Sequence, residues 1–186
     1  MLRAMSDLRI RELFETAVFV AVWALLHVLH RTGAVSPVVL TWMATAWASG
    51  KFMYFLIENG EHIVRATSAN IPYHRFLLFM AYNIGQMALS FALDFHVLYA
   101  LTPGSMNGIA KDMTGAALLF EFFFYSVLNF SFFGFGDVTP ATVPLKLVTL
   151  QEVVLALLTA IFILGDFISL KESVRADERR PLEGGH

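Results

Sequence analysis

Two glycines stand at alternate positions in the run Ser131-Phe132-Phe133-Gly134-Phe135-Gly136-Asp137-Val138-Thr139-Pro140. Glycine enters left-handed backbone angles without steric cost, so alternate glycines let successive carbonyls point to one side. A ring of such carbonyls can replace the hydration shell of a cation. One short loop cannot encircle an ion, so several copies around a symmetry axis are required. Other side chains offer different chemistry. His27 and His30 are at i, i+3, a spacing that suits two ligands of one metal ion, and Asp94 and His96 could complete such a set. Glu152 and Asp166 are isolated carboxylates in a long apolar run. The chain has no cysteine, which removes disulfides, thiolate metal sites and cysteine nucleophiles.

These residues are embedded in a chain with very little polar surface to offer. Of 186 residues, 57% are hydrophobic and 15% charged, and the formal net charge is −2. Soluble proteins carry roughly 25% charged residues. Mean hydropathy is +0.64. This composition excludes a soluble enzyme, and the balanced charge excludes a nucleic-acid binder with a basic face. A membrane protein remains. Runs of about 20 apolar residues span the hydrocarbon core as helices, and four are expected: Leu13 to His30, Pro37 to Ile57, Phe76 to Leu101, and Pro144 to Leu170. The stretch Ala116 to Phe130 is too short to cross and is expected to re-enter or to lie buried. Acidic residues in the leader, and an apolar run longer than the roughly 7–15 residues of a signal core, make the first run a retained helix.

Basic residues orient the spans. Arg3, Arg9, Arg11, Arg65, Arg75, Lys171, Arg175, Arg179 and Arg180 fall on one side, against Arg31, Lys111 and Lys146 on the other. Both termini are therefore expected in the cytoplasm, with segment 102–143 facing out. Lys51 lies within the second span, two turns before Glu58, and is expected to snorkel inward. The tail after Leu170 is expected to extend the last helix and fray at Pro181, Gly184 and Gly185. The first two spans lack arginine at every third position, which excludes a voltage sensor of the usual kind.

The sequence Phe124-Tyr125-Ser126-Val127, followed by the glycine run and Pro140, resembles the pore loop of the potassium-channel superfamily. That family reads aromatic-rich pore helix, T-T-V-G-Y-G-D, x, x, proline, then a lining helix. Leu150-Gln151-Glu152-Val153-Val154-Leu155-Ala156 is similar to the L-x-E-x-x-x-G stretch of prokaryotic members. The likeness covers about residues 76 to 170, so the chain divides into 1–75 with two extra helices, a channel-like pore domain 76–170, and a short tail 171–186. The resemblance implies an all-α membrane protein, four transmembrane helices per chain with a re-entrant pore helix and filter loop between the third and fourth, and a homotetramer in the lipid bilayer around one pore. Carbonyls of Phe132, Phe133, Gly134, Phe135 and Gly136 would bind dehydrated potassium, the permeant ligand, with no other cofactor, no nucleic acid and no soluble substrate. Asp137 would stand at the outer mouth. Phe124, Tyr125 and Ser131 would support the pore helix, whose C-terminal dipole near Asn129 to Ser131 would face the ion path. Glu152, Ala156 and Asp166 would belong to the lining helix.

Departures from the family pattern carry expectations of their own. Phe132 replaces the threonine whose hydroxyl helps form the innermost ion site, and Phe133 replaces valine. Phe135 lacks the phenol that braces the filter from outside, and Phe124 replaces a tryptophan that donates to the aspartate. Eight of the 18 phenylalanines lie between Phe120 and Phe135, so packing must replace directional hydrogen bonds. Alternatives to a potassium channel are then a nonselective monovalent cation channel and a non-conducting subunit plugged by Phe132. Ala156 stands where many members have a hinge glycine, which keeps the helix straight. Glu152 has two readings, a structural carboxylate bonded behind the filter or kept neutral, and a cavity-facing cation attractor. Asp166 either rings the inner entry or reaches interfacial water. Asp94 and His96 are either a pH-sensitive contact near the filter or a solvated interfacial pair. His27 and His30 read as interface histidines or, with Asp94 and His96, as the site of an intramembrane metal-binding protein or enzyme. Otherwise transport is passive and no enzyme activity is expected. The placement expected is the cell membrane, in the style of a prokaryotic inner membrane.

Overall fold

The structure is a computed structural model that describes the backbone of residues 2–68, 73–110, 112–134 and 136–183, and the side chains of 14–60, 78, 80–110, 112–134 and 136–165. Five helices account for most of it: α1 (Leu2–Thr32), α2 (Pro37–Ser68), α3 (Tyr73–Leu101), α4 (Gly115–Phe130) and α5 (Val143–Glu183). Two short strands, β1 (Met106–Asn107) and β2 (Thr139–Pro140), complete the order, with β1 before α4 and β2 after it.

Local chemistry sets the breaks. Gly33, at φ +65°, closes α1 by donating its N–H to the His30 carbonyl at 3.3 Å. Ser36 then caps α2: its hydroxyl accepts the Val39 N–H at 3.4 Å, and Pro37 occupies the first helical position, where no N–H is needed. Three helices are long and apolar enough to cross a bilayer, through Phe14–Thr32, Met80–Leu101 and Val143–Gly165. The protein is therefore an all-α membrane protein. α2 is equally long, but polar residues dilute it, and among the described residues it does not join those three. α4, with 16 residues, reaches only about 24 Å at 1.5 Å per residue, short of the roughly 30 Å core.

Several expected boundaries shift. The segment 58–75, between the second and third expected spans, is mostly helix, because α2 runs on to Ser68 and α3 begins at Tyr73. The tail does extend the last helix, but α5 passes through Pro181 to Glu183 instead of fraying there; Gly184 and Gly185 lie outside the described residues.

The core forms where α2 packs along α5 and α3 along α4, with α1 laid against α3. Its buried residues include Leu40, Phe55, Met87, Phe91, Phe95, Phe122, Tyr125 and Leu155. Ala44, Ala48 and Ala156 are also buried, and such small residues let membrane helices approach closely. The opposite face of α5 is bare: Leu147, Leu150, Val154, Leu157, Ile161 and Leu164 recur at alternating spacings of three and four, all exposed.

Candidate functional site

α4 presents two faces of different character. Leu118, Phe122, Tyr125, Ser126 and Asn129 are buried, whereas Phe120, Phe124 and Val127 are exposed. The buried face is pinned to α5 by polar contacts. Tyr125 shares a hydrogen bond with Thr149 at 3.2 Å. Glu152 is completely buried: Ser126 donates to one of its oxygens, and the Asn129 amide donates to the other at 2.5 Å. Glu152 thus bonds α4 through both carboxylate oxygens and has no exposed surface.

The end of α4 is a complete Schellman cap. Phe132 N–H donates to the Asn129 carbonyl at 3.4 Å, and Phe133 N–H to the Leu128 carbonyl at 3.3 Å, which is the paired pattern of that motif. Ser131 adds a hydroxyl bond to the Leu128 carbonyl at 3.1 Å, so its side chain turns back on the helix. The motif places Phe132 in the left-handed position at φ +59°, a position where glycine is usual. Gly134 and Gly136 follow at +91° and +55°. Left-handed angles therefore recur at residues 132, 134 and 136, and the alternation expected of the two glycines begins one step earlier, at a phenylalanine. Phe132 is 52% and Phe133 85% exposed. Phe135 lies outside the described residues.

After the glycines, the outer segment is strapped down. β1 pairs antiparallel with β2, Met106 opposite Pro140 and Asn107 opposite Thr139. The Ala141 N–H donates to the Ser105 carbonyl at 2.8 Å, and the Asn107 amide to the Thr139 hydroxyl at 3.3 Å. At Gly108, φ is +82° and any Cβ would overlap the Asp137 carbonyl oxygen. Asp137 itself is exposed. The motif-based reading missed this strap, although the Pro103-Gly104 and Asn107-Gly108 pairs are turn signals.

The remaining candidate residues lie on α1, α2, α3 and α5. Ala156 is buried, so it sits on the packed face of α5 and not on the bare stripe. Asp166 belongs to α5, and its side chain lies outside the described residues. Lys51 does not snorkel. Its ammonium donates to the Ser90 carbonyl at 2.9 Å and to the Ser90 hydroxyl at 2.6 Å, and lies 2.6 Å from Asp94 Oδ2. Asp94 and His96 are accordingly not a solvated pair: they leave α3 toward different helices. Asp94 meets α2, while His96 accepts a hydrogen bond from Trp23 Nε1 on α1 at 3.4 Å and stacks on His27 at 5.1 Å. His30 lines a small recess with Leu26, His27, Val97, Ala100 and Leu101. Thus Asp94 is drawn away from the histidines, and among the described residues no three His, Cys, Asp or Glu side chains come close enough to hold a metal ion. The signal for the Lys51–Asp94 contact was present as one lone cation and one lone anion in neighbouring apolar runs, which pair by default in a membrane.

Comparison with protein-family models, with curated proteins and with solved structures finds no match to this chain.

Proposed function

We propose that this chain is one subunit of a homotetrameric cation channel of the potassium-channel superfamily, passing potassium or other monovalent cations down their gradient. The observation that carries this reading is the end of α4. A short apolar helix, held from behind by Glu152 of the next helix, runs into a loop with left-handed angles at residues 132, 134 and 136. That backbone rhythm suits carbonyls aimed to one side. In this reading α2 is a fourth span, α4 is the re-entrant pore helix, both termini are cytoplasmic, and Asp137 stands at the outer mouth. The bare stripe of α5 and the exposed Phe120, Phe124 and Val127 of α4 then face other subunits or the central cavity.

A second reading, a nonselective or plugged pore, is favoured by the exposed rings of Phe132 and Phe133 at the open end of α4. The test is the reversal potential of the purified protein in planar bilayers under opposed potassium and sodium gradients, with its mass in detergent. A selective channel reverses near the potassium potential, and its protein mass is near four times 20.8 kDa. A nonselective one reverses near zero. A monomer that carries no current ends the channel reading.

A further inference from the structure

Two histidines and a tryptophan meet where α1 lies against α3, away from the glycine loop. His27 and His96 each stand five residues before the last residue of their helix, Thr32 and Leu101, which places both about 7.5 Å from that end at 1.5 Å per residue. Their rings stack at 5.1 Å, 28° from parallel. Trp23 packs on both, 4.8 Å from His27 and 5.7 Å from His96, and its indole N–H donates to His96 Nδ1 at 3.4 Å. His96 also meets the Phe122 ring of α4 edge-on at 6.2 Å. All three side chains are half-buried, and His27 lines the recess near the helix ends with His30 and Ala100.

An indole nitrogen only donates, and a histidine nitrogen accepts only while it carries no proton. The contact therefore needs a neutral His96 with its ring proton on Nε2. A second proton would set one N–H against another. The charged neighbours give no compensation. On α1 they are His30 and Arg31, and each ring faces the other histidine. From α4 comes the apolar Phe122 ring, and Tyr99 of α3 packs on that same ring. Asp94 of α3 is held by Lys51 of α2. In acid, His27, His30 and His96 become cations beside Arg31, and two stacked imidazolium rings repel.

We propose that Trp23, His27 and His96 form an acid-sensitive latch, which holds α1 against α3 at neutral pH and releases it when the histidines take up protons. The closed contact uses neutral rings, so falling pH works against it. A proton on His96 removes the Trp23 bond, and one on His27 as well turns the stack from attraction to repulsion. α1 then leaves α3 at this end, and Phe122 of α4 loses its His96 neighbour. The latch does not rest on the channel reading, and its readouts need no current.

The test follows the full-length protein in detergent micelles between about pH 8 and pH 4, a range that covers histidine titration. One readout is the indole N–H resonances of Trp23, Trp42 and Trp47, assigned with Trp23→Phe. The other is the distance between spin labels on Val28→Cys of α1 and Thr102→Cys beside the end of α3. Both positions are exposed, and the chain has no native cysteine. The expected result is that the Trp23 signal moves in one reversible step, that Trp42 and Trp47 stay, and that the label distance lengthens over the same step. His96→Gln keeps an acceptor oxygen but gains no proton, so its Trp23 signal and label distance should hold across the range. His27→Phe keeps a stacked ring without a second charge. Its Trp23 signal should still move, and its distance should lengthen less than in the native chain. A Trp23 signal that stays fixed, that moves only together with Trp42 and Trp47, or that still moves in His96→Gln overturns the proposal. So does an unchanged distance while the signal moves, since the bond would then break without the helices parting. If His96→Gln does not fold, the ring-nitrogen resonances of native His96 replace it. They must titrate at the midpoint of the Trp23 signal, and separate midpoints overturn the proposal.

Discussion

Phe132 holds a backbone position at φ +59° that costs an L-residue with a Cβ about 1 kcal/mol or more relative to glycine. The surrounding cap makes it adopt that angle, since its own N–H and that of Phe133 close the α4 terminus. Phe132→Gly should therefore raise the stability of the purified protein by about 1 kcal/mol, read as a higher thermal midpoint in detergent. Phe132→Thr should lower it, because a β-branched residue is worse still at positive φ. The comparison matters for function. Threonine at this position adds a hydroxyl and strains the backbone together, whereas glycine removes the ring and relieves the backbone. In the channel reading, a plug is relieved by glycine as well as by threonine, whereas a missing ion ligand is restored by threonine alone. Gly134 and Gly136 were legible as left-handed positions from residue type. Phe132 was not, because residue type argues against that angle and only the hydrogen-bond pattern of the finished cap requires it.

Among the elements, α4 was the most legible: it is too short and too apolar for anything but a buried or re-entrant helix, and Glu152 behind it was one of two stated alternatives. The strap and the α2 contacts were harder to read, because they depend on which face of one element meets another. Gly108 ties the outer loop to the backbone of Asp137, with no room for a side chain. Gly108→Ala should separate β1 from β2, seen as loss of hydrogen-exchange protection at Ala141, whose N–H bonds Ser105. In the channel reading it should also lower single-channel conductance. Along α2, two polar rungs grip α5. Ser49 accepts from Gln151 Nε2 at 2.8 Å, and Asn59 donates to Thr159 at 2.9 Å; Asn83 of α3 in turn donates to Asn59 at 2.8 Å. These rungs bracket the buried Ala156, so α2 and α5 should move as one body. The native chain has no cysteine, so Ser49→Cys with Gln151→Cys can be bridged cleanly by a short bifunctional thiol reagent. In the channel reading, current should survive the bridging, and a current that stops would show that α5 slides or bends against α2.

At the scale of the whole molecule, composition alone pointed to a membrane protein, and three helices long and apolar enough to cross a bilayer agree with it. What composition could not supply was the order of dependence among the helices. α2 is the long helix left out of the three apolar enough to cross on their own, and Lys51 contributes to that shortfall at about 2.5–3.5 kcal/mol on insertion scales. Its acceptors Ser90 and Asp94 lie on α3, which the ribosome makes only later. In the channel reading, where α2 is a fourth span, the ion pair makes the insertion of α2 depend on α3. α2 should not settle in the bilayer as it emerges, but should wait at the translocon and enter together with α3 as a hairpin. Nascent chains truncated before residue 90 should leave α2 accessible to a water-soluble probe, and chains extended past Leu101 should protect it. Lys51→Leu should remove the delay, so that α2 inserts as soon as it is made.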